Sequence, residues 1–152
     1  MKKTLDLLIR SSFLLVVSVL MVRCSDDDEQ KSPAELIVGI WSLTGDAVSP
    51  PIDLGGGPIS DFYPFYEPCE KDDVVIVNAG NTGEYNEGAT KCDPGDDQSI
   101  PFTWALTNNN TVLVVDGYSF TIVQLDETTL KLQIKETVSG TEYTSTTTYV
   151  RK

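Results

Sequence analysis

The residue types that carry most enzymatic and metal chemistry are absent from this chain or badly spaced in it. There is no histidine among its 152 residues. That excludes Ser-His-Asp and Cys-His nucleophile pairs, imidazole acid–base steps and every His-ligated metal site. Three cysteines occur, Cys24, Cys69 and Cys92. Cys69 and Cys92 are too far apart for a redox Cys-x-x-Cys pair. Two thiols without a further cysteine or any histidine also make a poor zinc site. Asp93, Asp96 and Asp97 lack the alternating oxygen ligands and closing Glu of an EF-hand, so they read as a solvated acidic loop. Gly55-Gly56-Gly57 has no following Lys-Ser/Thr and no helix, so it is not a phosphate loop. Carboxylates are numerous enough for a glycosidase-like acid–base pair. However, they fall in the N-terminal segment and in turns, away from the expected inward positions. The expectation is therefore no enzyme, no metal and no cofactor.

Charge narrows the partners. Eleven Lys and Arg stand against 23 Asp and Glu, a formal net charge of −12. Such a chain repels phosphate backbones, which sets nucleic acid aside. Hydrophobic residues make up 40%, too many for a disordered chain, and the length suits one domain.

The elements that must position any site are strands. Leu130, Leu132 and Ile134 alternate with Lys131, Gln133 and Lys135, the period of a half-buried strand. Thr111 to Val115 and Tyr118 to Leu125 flank Asp116-Gly117, a hairpin signal because type I′ turns need positive φ. Val138-Ser139-Gly140-Thr141 makes the next turn, and Glu142 to Arg151 the last strand. Upstream, Leu36 to Leu43, Val74 to Asn78, Gly83 to Asn86 and Phe102 to Leu106 complete about eight sequential antiparallel strands. Such a succession predicts an up-and-down barrel, with a sandwich as the alternative.

One connection is long. Residues 44–71 hold Pro50-Pro51, the three glycines and Phe62-Tyr63-Pro64-Phe65-Tyr66. Loops of this length tend to be lids, binding loops or disordered. Tyr63, Phe65 and Tyr66 either cover or line a pocket for an apolar ligand, or pack onto the barrel and plug it. Trp104, Tyr118 and Phe120 are large enough to fill much of a short barrel.

The N-terminus reads as an address. Lys2, Lys3 and Arg10 precede an apolar run over 13–22, shorter than the roughly 20 residues of a spanning helix. Arg23-Cys24 and the acidic run 25–29 follow. This order resembles a bacterial lipoprotein signal. The resemblance implies removal of residues 1–23, lipid attachment at Cys24 and a membrane anchor. The acidic run resembles the tag that sends some Gram-negative lipoproteins to the outer face of the cell. The implied location is the bacterial outer membrane, with 24–34 as an acidic tether and 35–152 as the domain. An ordinary cleaved signal is the other reading. In an exported domain the pair Cys69 and Cys92 reads as one disulfide.

The domain itself resembles the lipocalin-like domains of bacterial lipoproteins. The resemblance rests on Gly39-Ile40-Trp41, on Cys69-Glu70-Lys71-Asp72-Asp73-Val74, on the Gly80–Gly88 hairpin with Cys92, on Trp104, and on the hairpins of 111–151. It implies an eight-stranded barrel closed at one end by Gly39, Trp41 and Arg151, the guanidinium stacking on the indole. The chain stops at Lys152, without room for the C-terminal helix of full-length lipocalins. The implied function is binding or carrying a small hydrophobic ligand at the cell envelope, with Tyr63, Phe65, Tyr66 and Trp104 as ligand-binding candidates. The alternative is a ligand-free surface module contacting proteins or glycans through its loops.

Overall fold

The structure, a computed structural model, describes residues 30–152. Residues 1–23, read as a signal, Cys24 and the acidic run lie outside the described residues.

The first element is a helix rather than the end of a tether. Ser32 caps α1 (Pro33–Ile37). Its hydroxyl accepts from the Glu35 amide at 3.4 Å, and the Glu35 carboxylate accepts from the Ser32 amide at 2.8 Å. Pro33 sits where a helix tolerates it, in the first turn. Residues 32–34, read as tether, and Leu36-Ile37, read as strand, therefore belong to a capped helical turn.

Nine strands follow, β1 (Gly39–Asp53), β2 (Pro58–Asp61), β3 (Val74–Asn78), β4 (Thr82–Asn86), β5 (Ser99–Thr107), β6 (Val112–Val115), β7 (Tyr118–Leu125), β8 (Thr129–Val138) and β9 (Thr141–Arg151). A 3₁₀ turn (Tyr63–Phe65) and a short helix α2 (Pro68–Lys71) lie between β2 and β3. Strands β3 to β9 run as an antiparallel meander, and β1 pairs with both β3 and β9. That double pairing closes an eight-stranded up-and-down barrel, as the sequence predicts, and β2 stands outside the ring against the upper part of β1.

Half of the expected long loop is sheet. Beyond Leu43, β1 continues along β9 until Ser49 opposes Thr144. Pro50 and Pro51 fall inside the register shift between Ala47 and Ile52 on the β2 side. A missing amide donor is tolerated at such an irregularity, so the prolines do not end the strand. The Asp116-Gly117 turn behaves as read, with both residues at positive φ, 45° and 90°.

Register places the core. Trp41, Val77, Phe102, Trp104, Leu113, Leu130 and Leu132 are buried together, and Ile37 from α1 seals them from below. Each lies on the inward parity of its strand, the period-two pattern of a small closed barrel. Tyr118 does not fill the interior. It pairs with Val115 beside the turn at the rim and is 70% exposed.

Candidate ligand-binding site

The barrel has a sealed end and an open one. At the sealed end the Arg151 guanidinium lies 4.2 Å from the centroid of the Trp41 ring. Arg151 Nη1 donates to the Val38 carbonyl at 2.8 Å, Nε to the Glu127 carbonyl at 2.7 Å, and Nη2 to the Leu36 carbonyl. The Trp41 indole donates to the Ile37 carbonyl at 2.8 Å. Arg151 thus ties together β9, the β7–β8 turn and the end of α1, while Trp41 fixes that end of α1 from β1. A Cβ on Gly39 would fall 1.9 Å from Arg151 Nη1. The glycine two residues before the tryptophan is therefore the space in which the guanidinium lies.

Above this floor the interior holds a cavity of about 70 Å³. Its walls include Val75, Phe102, Trp104, Phe120, Leu132 and Tyr149. The Trp104 indole donates to the carbonyls of Asn78 and Thr82 at 3.1 and 3.0 Å, so it offers the cavity only its ring. Pockets for drug-sized molecules run to about 300–1,000 Å³. The lower barrel is therefore filled mainly by its own side chains.

The mouth is roomier. A hollow of about 220 Å³ shares Val75, Tyr85 and Tyr149 with the inner cavity and adds Tyr66, Glu70, Asp73 and Glu87. A second hollow, about 390 Å³, lies beyond Tyr66 and Glu70 and is walled by Asp46, Phe62 and Phe65. The Tyr66 hydroxyl donates to Asp46 at 2.8 Å, and burial with that bond pushes it up to about 12. Burial, then the neighbouring charges of Glu87, Asp72 and Glu70, pushes the Asp73 carboxyl up to about 6. Burial likewise pushes the Tyr149 hydroxyl up to about 12.

The walls of the mouth are pinned covalently. Cys69 on α2 and Cys92 in the β4–β5 loop form a disulfide, with Cα atoms 5.3 Å apart. It ties the segment carrying Glu70 and Asp73 to the loop that starts at Glu87. Glu67 lies beside both sulfurs, but sulfurs bonded to each other are not thiolate ligands. Asp93 spends an oxygen on the Gly95 amide at 2.8 Å, a turn of the loop's own.

Residues 37–132, well over half of the chain, match the model of the lipocalin-like domain family. The chain belongs to that family. Lipocalin-type domains are in general ligand carriers rather than enzymes. No curated protein matches the sequence significantly. Among solved structures the chain is similar to japanin from Rhipicephalus appendiculatus, described as bound to cholesterol. The identity is 13% and the TM-score 0.47, over 80% of this chain and 78% of that one.

Of the residues proposed from sequence, Trp104 walls the inner cavity, Tyr66 divides the two hollows, and Phe65, 67% exposed, borders the outer one. Tyr63 lines neither. Its ring lies 6.1 Å from that of Tyr66, beneath Lys71 Nζ at 5.3 Å. The carboxylates are the omission. They were expected away from inward positions, yet Asp46, Glu70, Asp73 and Glu87 converge on the mouth. Asp46 arrives because β1 is longer than its pattern suggests, and the others because the disulfide gathers two loops.

Proposed function

We propose that the domain binds a small molecule seated in the barrel mouth, its apolar part lowered onto Val75 and Tyr149, and that it does so as a lipid-anchored protein of a bacterial outer membrane. The observation that carries the binding reading is the continuity of a polar mouth with an apolar cavity through three shared wall residues. Ligand sites are concave, mostly apolar and furnished with a few convergent polar groups. The volumes favour a compact ligand over one that would need the whole barrel. The anchoring reading rests on the basic start, the short apolar run, Cys24 and the acidic run.

The small interior favours a second reading, an interaction module that touches proteins or glycans through its loops. One experiment separates the two. The full-length protein, extracted gently from its own membranes, is weighed by native mass spectrometry. A reproducible small-molecule adduct, lost in Val75→Phe with the far-UV spectrum retained, supports the mouth site. A bare protein that also takes up no N-phenyl-1-naphthylamine favours the interaction module. The same preparation tests the anchor, since an acylated Cys24 peptide is expected and an unmodified one refutes lipidation.

A further inference from the structure

The lining of the mouth selects the charge of what enters. Asp46, Glu70, Asp73 and Glu87 border the two adjoining hollows, and among the described residues no Lys or Arg lines either. Asp46 is engaged by Tyr66. Asp73 Oδ1 is buried and has no hydrogen-bond partner among the described residues. Tyr149 borders the same hollow. Unpaired buried acceptors are costly, and an anionic guest would add repulsion to that cost. A neutral apolar guest would leave the Asp73 oxygen unpaired.

A cation meets both needs, and the geometry says which kind. The three-ligand cluster found among the described residues is Glu67 with the two bonded cysteines, not the mouth carboxylates. These are too dispersed to close on one metal ion, which needs several oxygens at short range. Between them stand aromatic rings, Tyr66, Tyr85 and Tyr149 at the inner hollow and Phe62 and Phe65 at the outer. Carboxylates interleaved with π faces and no competing base suit an organic ammonium, whose N–H groups reach dispersed acceptors while its flanks contact rings.

We infer that the mouth selects small organic amines, the ammonium lying among Glu70, Asp73 and Glu87 and the apolar part directed past Tyr149 towards the cavity. This rests on the reading that the mouth holds a ligand.

The test is a charge series on one ring, 2-phenylethylamine, 2-phenylethanol and phenylacetate, titrated calorimetrically into the full-length protein at pH 7.5 and low salt. The amine is expected to bind at least tenfold more tightly than the alcohol, with no measurable binding of the acid. Glu70→Gln, Asp73→Asn and Glu87→Gln are each expected to weaken the amine several-fold and to leave the alcohol unchanged. Equal binding of amine and alcohol, or preference for the acid, overturns the inference and leaves the mouth site standing. Amine binding indifferent to all three substitutions overturns it too. Failure of the whole series to bind overturns both readings. Because the wild-type series alone decides the charge preference, a variant that does not fold leaves the test intact.

Discussion

Arg151 lies over the Trp41 ring while its nitrogens reach three carbonyls on two segments, Leu36 and Val38 at the end of α1 and Glu127 in the β7–β8 turn. The stacking and the hydrogen bonds use the same planar group, which a lysine cannot reproduce. Arg151→Ala should therefore cost about 2–4 kcal/mol, because it removes the stack and strands acceptors at a partly buried floor. Arg151→Lys should recover only a minor part. Urea denaturation of the three proteins checks this, and equal midpoints for lysine and arginine would show that charge alone suffices.

The Gly-x-Trp pattern follows from the same clasp. Gly39→Ala would place a methyl where Arg151 Nη1 now lies. Either the guanidinium leaves the indole or β1 shifts, and the loss should approach that of Arg151→Ala. A double mutant separates the possibilities. If Gly39→Ala acts by displacing Arg151, adding it to Arg151→Ala should cost little more than either change alone. Additive losses would mean that the glycine serves the backbone instead.

The strands were legible in the sequence because they are local patterns, the clasp was implied by the family resemblance that Gly39-Ile40-Trp41 carries, and the mouth was not legible. Alternation around Leu130, the Asp116-Gly117 turn and Gly39-Ile40-Trp41 each occupy a few consecutive residues, and the antiparallel meander follows from them. Two errors have physical causes. Pro50-Pro51 looks like a strand breaker, but the chain places both prolines at a bulge where no ladder amide is required. The Ser32 capping box was overlooked because the acidic stretch before it reads as tether. The convergence of Glu70, Asp73 and Glu87 has no local signature. It depends on how far β1 extends and on where the disulfide holds the β4–β5 loop.

That disulfide closes a loop of 23 residues. In the chain-entropy model it should contribute about 3 kcal/mol. Replacing both cysteines by serine should lower stability by roughly that amount and loosen the wall that carries Glu70 and Glu87, so ligand affinity should fall as well. Intact mass before and after reduction checks the bond directly. A native protein that shows no mass change on reduction would leave the loss unexplained by the crosslink.

Ser42 is a place where sequence and packing disagree. Only 9% of it is exposed, and its hydroxyl has no hydrogen-bond partner among the described residues. A buried hydroxyl without a partner costs about 1–3 kcal/mol relative to an apolar group. Ser42→Ala removes the oxygen and leaves a space smaller than a methyl. The expected outcome is a stability unchanged or raised by up to about 1 kcal/mol in thermal denaturation. A clear destabilisation would mean that the hydroxyl has a partner, such as a buried water.

Asp73 gives the protein a pH dependence of unusual sign. Burial, and then the charges of Glu87, Asp72 and Glu70, raise its carboxyl from 3.8 to about 6 in the folded state. The folded protein then holds a proton that the unfolded chain has released, so between those two values stability falls as pH rises. Below about pH 4 the group is protonated in both states and costs nothing; above about pH 6 the full penalty applies. Asp73→Asn should therefore raise the melting temperature at pH 8 by a few degrees and leave it nearly unchanged at pH 4. Because the side chain is only partly buried, solvent screening keeps the gain to about 1 kcal/mol. A bound ammonium would reverse the trend, since it stabilises the ionised carboxylate. With 2-phenylethylamine at saturation, the gap between wild type and Asp73→Asn at pH 8 should narrow or change sign. A gap that the amine does not alter would place the ammonium elsewhere.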